Sequence, residues 1–171
     1  MLVKEKDLLM MINLRRQGVA DLEFVELTDS SLKLINDLHL LFPHWKRSSV
    51  QKKLNATSQG KDKRFVAFSN SKVVAHIRVV SGKSIHKHRA QLLSLVVIPQ
   101  MRRKGIATKL VEFVIKSLSG KKSLLILEVD ENNLAAIKLY KKLGFEKYGL
   151  LKKASIVRGK FVNNVLMEKE I

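Results

Sequence analysis

The chain contains no cysteine. That excludes disulfides, thiolate zinc sites, iron–sulfur clusters and a thiol nucleophile together, and it suits a reducing compartment. Proline is nearly absent, with two residues, and glycine is scarce, with eight. The chain is therefore neither collagen-like nor a disordered low-complexity tract. Aromatic residues make up only 6%, little for stacking on nucleic acid bases. No apolar run approaches the roughly 20 residues of a membrane span. At the N-terminus (MLVKEKDLLMMINLRRQ) an apolar patch of only Leu8 to Ile12 lies between charges of both signs. It does not read as a signal peptide.

Acid is the other shortage. Fifteen Asp and Glu face 33 Lys and Arg, a formal net charge of +18. The excess is concentrated: His44 to Lys104 carries fifteen basic residues and one acid, Asp62, against eighteen and fourteen in the remainder. Such a segment favours an anionic partner: nucleic acid, a membrane surface or a polyphosphate cofactor. The plainer alternative is a solvated basic face. What is present is ordinary for a globular domain: 171 residues, 46% of them hydrophobic, enough to bury one core.

Hydrophobic periodicity gives the elements. Val19–Thr28 alternates apolar and acidic residues as a strand does, and residues 1–20 form an extension that is helical at most. Thr28-Asp29-Ser30 starts a helix that Pro43 stops, and a short basic helix runs over Ser48–Thr57. Arg64–Ser69 and Lys72–Val80 form a hairpin about Asn70-Ser71. After the basic loop Ser81–Arg89, Leu92–Ile98 is apolar on both faces, as a covered strand is. Lys104–Leu118 has helical spacing, Leu124–Val129 is a second buried strand, and Leu134–Leu143 is a helix ended by Gly144. Phe145–Leu151 and Phe161–Lys169 complete the chain as strands. The order β-α-α-β-β-β-α-β-α-β-β predicts an α/β fold with a mixed sheet in a single domain over 21–171.

One junction carries chemistry. In Val96–Leu110 (VVIPQMRRKGIATKL) a buried strand runs through a basic loop into a helix. The unpaired N–H groups of a helix N-terminus, with the helix dipole, form an anion site. Arg102, Arg103 and Lys104 add charge, Gly105 lets the backbone approach a ligand, and Ala107 keeps the next turn small. The chemistry fits a pyrophosphate. Neither Gly-x-Gly-x-x-Gly nor Gly-Lys-Ser/Thr occurs, so dinucleotides and nucleoside triphosphates fit poorly. A second motif follows in Leu127–Phe145: Asn133, Ala136, Tyr140, Gly144 and Phe145.

Together these motifs resemble the GNAT superfamily of N-acetyltransferases, whose phosphate loop reads Gln/Arg-x-x-Gly-x-Gly/Ala and whose next half reads Asn, Ala, Tyr, Gly-Phe. The resemblance covers residues 21 to 170. It implies a mixed, mostly antiparallel sheet of six to seven strands, splayed between its central parallel pair and flanked by about four helices. It implies acetyl-CoA as cosubstrate and no metal. Backbone N–H groups of Arg103, Lys104, Gly105, Ile106 and Ala107, with the matched Arg102, would hold the pyrophosphate. Val97 would pair with the pantetheine arm. Asn133 would hydrogen-bond that arm, unless it serves only as a helix N-cap. Tyr140 would protonate the departing thiolate, and as an alternative is a core tyrosine.

The acceptor amine must be neutral. A free α-amine has a pKa near 8 and a lysine amine near 10.4, a difference worth roughly 3 kcal/mol, so a base is needed. Glu128 lies on an apolar strand, where burial would raise its pKa. Its spacing to Tyr140 is similar to that of ribosomal-protein N-terminal alanine acetyltransferases, in which those positions serve as base and acid. The alternatives are a glutamate paired with a lysine, and ordered water as base. The tail Gly159–Met167 is similar to small-amine and polyamine-type members, with Asn163 and Phe161 departing from that pattern. In the family, the region of His44 and Trp45 shapes the acceptor pocket; Trp45 otherwise reads as a hydrophobic plug. His86 and His88, with no nearby acid, make a poor metal site.

The function expected is acetyl transfer from acetyl-CoA to a primary amine in the cytoplasm. The acceptor is a protein N-terminus or lysine, on an anionic or ribosomal assembly, or else a small amine. Free polyamines fit the charge badly, and no membrane partner is expected. The alternative is a basic module on the same fold that binds nucleic acid or the ribosome. A monomer and a homodimer both remain open.

Overall fold

The computed structural model describes residues 22–27 and 62–171. The two helices expected over 29–57, the extension 1–20, His44 and Trp45 lie outside the described residues.

Seven strands form one sheet: β1 (Leu22–Glu26), β2 (Lys63–Ser69), β3 (Lys72–Ser81), β4 (Arg89–Val97), β5 (Leu124–Asp130), β6 (Glu146–Val157) and β7 (Lys160–Glu170). Two helices are described, α1 (Ile106–Leu118) and α2 (Leu134–Lys142). The strand order is β1-β2-β3-β4-β5-β7-β6. Among the described strands only β4 and β5 run parallel; every other neighbouring pair is antiparallel.

Local chemistry sets the turns. Asn70 and Ser71 both have positive φ, at 50° and 60°, as a two-residue type I′ hairpin requires. Arg158 and Gly159 do the same between β6 and β7, at 49° and 76°. β6 extends to Val157, six residues past the expected Leu151. Its outer half has no alternating pattern and is largely exposed; the cross-strand bonds and the turn define it, neither of which hydrophobicity reports. β4 likewise begins at Arg89, because its polar first residues pair with both β3 and β5.

The core lies on one face of the sheet. Phe65, Ile77, Val79, Ala90, Leu92, Leu125, Leu127 and Met167 alternate inward, and α1 buries Ile106, Leu110, Val111, Val114 and Leu118 against them. Phe113 seats α1 across β1 and β2, with its ring 6.0 Å from those of Phe24 and Phe65. Arg64, Val66 and His76 are buried on the opposite face.

The basic segment does not form one patch within the described residues. Lys83, Lys87 and Arg89 sit at the start of β4, where Ser123 N–H and Lys122 Nζ bind the carbonyls of His88 and Lys87. Arg102, Arg103 and Lys104 follow its other end, about 27 Å away along a nine-residue strand.

Candidate active site

The parallel pairing of β4 and β5 covers only Arg89↔Leu124 through Leu92↔Leu127. Beyond that point both strands continue, to Val97 and Asp130, without bonding to each other. A cleft opens between them. Its cause is visible in β4: the register with β3 shifts between Arg78↔Leu93 and His76↔Val96, leaving Ser94 and Leu95 opposite Ile77. Ser94 takes a φ of 53°. This is a β-bulge, which bends its strand away from the neighbour.

Val97 ends β4 at the cleft. Ile98 N–H bonds Val74 O on β3, so by strand alternation the N–H and C=O of Val97 face the cleft. The carbonyl accepts from Arg102 Nε at 3.0 Å. Arg102 is therefore folded back on the strand end.

The loop then forms a candidate anion cradle. Arg103 has a φ of 63° and Gly105 a φ of 75°. Left-handed residues interleaved with ordinary ones turn successive N–H groups toward one side, the geometry of an anion-binding nest. They also explain why α1 starts at Ile106 and not at Lys104. Gly105 is the N-cap of α1 and offers no side-chain cap, so the first-turn N–H groups of Ile106, Ala107 and Thr108 have no partner within the helix. A Cβ added to Gly105 would meet nothing within 4 Å; the space before the helix is open. These features fit a pyrophosphate.

Asn133 is the N-cap of α2, its Oδ1 accepting from Ala136 N–H at 3.1 Å. That leaves its Nδ2 as a donor, so the capping role and a ligand contact are compatible. Tyr140 is buried at 7% exposure among core residues that include Leu127 and Val129. Its ring packs edge-on against Phe145 at 5.5 Å. Burial pushes its pKa up to about 12, so the phenol is a protonated donor at neutral pH.

Glu128 is not buried. Leu127 and Val129 turn into the core, so strand alternation places Glu128 on the other face, where it is exposed. The burial expected for it is not found. Its Oε2 accepts from Asn164 Nδ2 at 3.2 Å, and Asn163 Nδ2 likewise donates to Glu131 Oε1 at 2.9 Å. Among the described residues no lysine pairs with Glu128; an asparagine on β7 holds it. Sequence reasoning treated Asn163 only as a departure from a motif and missed Asn164. Pairing β7 against β5 would have revealed both, since Asn164 lies opposite Asp130 and diagonal to Glu128.

A buried polar group was also missed as a unit. Arg64 Nη1 lies 3.1 Å from His76 Nε2, His76 Nδ1 lies 3.2 Å from Ser94 O, and Arg78 Nε donates to buried Asp62. His86 and His88 sit in the exposed loop before β4. No cluster of metal-ligating side chains occurs among the described residues, and no described helix is long and apolar enough to cross a membrane.

Comparison with known proteins agrees with this geometry. An N-alpha-acetyltransferase of Saccharolobus solfataricus is 38% identical over 98 residues, 52% of this chain. The chain spans 59% of the length of that relative. The ribosomal-protein-S18-alanine N-acetyltransferase of Escherichia coli superposes with a TM-score of 0.72 at 22% identity, over 88% of this chain and 94% of that one. The yncA protein of Salmonella typhimurium, solved with its cofactor acetyl-CoA, superposes with a TM-score of 0.72 at 15% identity, over 87% and 93%. The family model of the acetyltransferase (GNAT) family matches residues 32–145, two thirds of the sequence. The splayed sheet, the cradle before α1 and that match together place this chain in the acetyltransferase (GNAT) family.

Proposed function

We propose that the chain transfers an acetyl group from acetyl-CoA to the α-amine of a protein N-terminus. The observation that carries the reading is the position of the cradle. The open N-terminus of α1, with Arg103 and Gly105 in left-handed conformations, follows directly from the end of β4, where β4 no longer pairs with β5. A pyrophosphate at the cradle and an extended thiol arm in the cleft fit that layout.

Acetyl-CoA supplies the activated acyl group. The N–H groups of Arg103 to Ala107 would bind its pyrophosphate, with Arg102 and Lys104 adding charge. Val97 N–H faces the cleft, where it can bond the arm or the developing oxyanion. The carbonyl of Val97 keeps a second lone pair beside its bond from Arg102, which the arm can use. Asn133 Nδ2 donates to the arm. Tyr140, protonated and desolvated, gives its proton to the departing sulfur as the acceptor nitrogen closes its bond to the acyl carbon.

Glu128 takes the amine proton. It faces the side of the sheet opposite Leu127 and Val129, which belong to the same core cluster as Tyr140. Base and acid thus stand on opposite faces of the sheet beside one cleft, each free to act on a different atom of the tetrahedral intermediate. Because Glu128 is solvated, it matches an α-amine, much of which is already neutral near pH 8, better than a lysine amine. The N-alpha-acetyltransferase of Saccharolobus solfataricus and the ribosomal-protein enzyme of Escherichia coli support the same acceptor class. The cosubstrate and the cysteine-free composition suit a cytoplasmic enzyme.

Thermal unfolding with acetyl-CoA, with adenosine diphosphate as control, tests the cofactor reading. A ligand at 100 times its Kd adds about 2.7 kcal/mol of stability. A rise with acetyl-CoA that adenosine diphosphate does not reproduce is expected. No rise up to millimolar acetyl-CoA contradicts the reading.

A further inference from the structure

The cleft exists because β4 bulges at Ser94, and the bulge is not self-supporting. A serine at a φ of 53° sits in the left-handed region, which is strained for a residue that carries a side chain. Ser94 is itself exposed. Its carbonyl, however, faces His76 Nδ1 at 3.2 Å across the β3–β4 pair.

His76 has no freedom in what it offers that carbonyl. It is 1% exposed. Its Nε2 lies against the guanidinium of Arg64 at 3.1 Å. Arginine can only donate, so Nε2 accepts, and the ring proton lies on Nδ1, pointing at Ser94 O. The imidazole also stays neutral. Burial, then the adjacent Arg64, lowers its pKa to about 3. Among the described residues, the charged groups facing it come from the same sheet face: Arg64 from β2, Arg78 from its own strand, and Asp62, which pairs with Arg78. The donor is therefore fixed in place and in tautomer.

We infer that His76 is a positioning residue: oriented by Arg64, its Nδ1–H holds the Ser94 bulge that turns β4 away from β5 and aims Leu95–Val97 at the cleft. Its effect on catalysis rests on the acetyl-transfer reading; its effect on the backbone does not. The position in sequence explains the effect. β4–β5 pairing stops at Leu92↔Leu127, two residues before the bulge, and Val97 lies three residues after it. If the bulge relaxes, β4 can move toward β5, and the Val97 N–H loses its aim.

Two substitutions in the full chain separate this role from packing. In His76→Asn the side-chain amide can stand where Nδ1 stands and donate to Ser94 O. In His76→Gln the amide reaches toward the place of Nε2, keeping an acceptor for Arg64 but no donor for the bulge. Amide hydrogen exchange at Leu95–Val97, measured without ligand, is expected to match the wild type in H76N and to quicken at least tenfold in H76Q. In acetyl transfer, H76N is expected to keep kcat within about threefold, and H76Q to lose of the order of a hundredfold in kcat, the scale of an ångström's misplacement. Equal behaviour of the two variants, or a better-preserved H76Q, overturns the inference. Nitrogen-15 spectra of the wild-type imidazole decide it independently: a proton coupled to Nδ1 is expected, and one on Nε2 overturns it. Should the wild type transfer no acetyl group, the acetyl-transfer reading fails, while exchange and imidazole spectra still decide the clamp.

Discussion

Phe145 N–H bonds the carbonyl of Tyr140 at 3.0 Å while the two rings meet edge-on at 5.5 Å. Both contacts belong to one helix end. Gly144, at a φ of 81°, donates to Lys141 O, completing the paired bonds of a Schellman cap, in which the residue after the glycine packs back on the last turn. Tyr-x-x-x-Gly-Phe is thus a device that stops α2 one turn past the tyrosine and clamps its ring. The consequence is a buried phenol of fixed direction.

Tyr140→Phe keeps the ring and the clamp and removes only the proton donor. Its kcat is expected to fall by about 10²-fold or more, with the KM for acetyl-CoA within a few-fold, since general acid catalysis contributes at that scale. Steady-state kinetics with a good acceptor peptide check this. A Y140F enzyme at full rate would remove Tyr140 from the chemistry.

The same residue makes a pH prediction for stability. Its pKa is raised to about 12 in the folded state from 10.0. A raised pKa stabilises the fold below the unfolded value and loses that contribution as pH climbs through the folded one. Relative to Y140F, the wild type is therefore expected to lose of the order of 2–3 kcal/mol between pH 10 and 12. Urea unfolding of both proteins across that window tests it, because the lysines titrate alike in each.

Asn133→Asp and Asn133→Ala separate capping from ligand binding. Aspartate caps as well as asparagine, whereas alanine costs about 1 kcal/mol. If Nδ2 also serves the pantetheine arm, both variants weaken acetyl-CoA binding, although only alanine lowers the melting temperature. Binding lost in N133A alone would leave Asn133 a cap.

Gly105→Ala meets no neighbour, so its cost to the free protein is the backbone strain of a left-handed alanine, about 1 kcal/mol. Its cost to acetyl-CoA is expected to be larger, because the methyl group projects into the open space before α1. Calorimetric titration is expected to show at least tenfold weaker binding. Unchanged affinity would move the pyrophosphate away from this loop.

Glu128→Gln preserves an oxygen for Asn164 and removes the base. Transfer is expected to slow by about 10²-fold near neutral pH. The deficit should narrow as pH rises, since the neutral fraction of the amine grows tenfold per unit below its pKa and the need for a base declines. A variant within twofold of the wild type at every pH would assign proton removal to water.

Much of this was legible in the residues. Asn70-Ser71 between two β-rich runs gave the first hairpin, and the run of Ile106, Leu110, Val111, Val114 and Leu118 gave α1 nearly to the residue. Arg102 to Ala107 marked the loop before α1 as a candidate anion site, because helix-end physics is local. What was not legible depends on register. Glu128 was read as buried from its apolar neighbours, yet period-two alternation places it opposite them. His76 read as a structural histidine, and nothing local links it to Arg64 twelve residues before or to Ser94 eighteen residues after. The outer half of β6 escaped notice because it buries little, so only its pairing with β7 defines it.

The most direct measurement gives the enzyme acetyl-CoA and a peptide bearing both a free α-amine and an internal lysine, then locates the acetyl group by mass spectrometry. One acetyl group on the α-nitrogen, matched by released coenzyme A and lost in Y140F, is the predicted result. No acetyl group on any nitrogen across a panel of N-terminal sequences, at millimolar acetyl-CoA, would contradict the account.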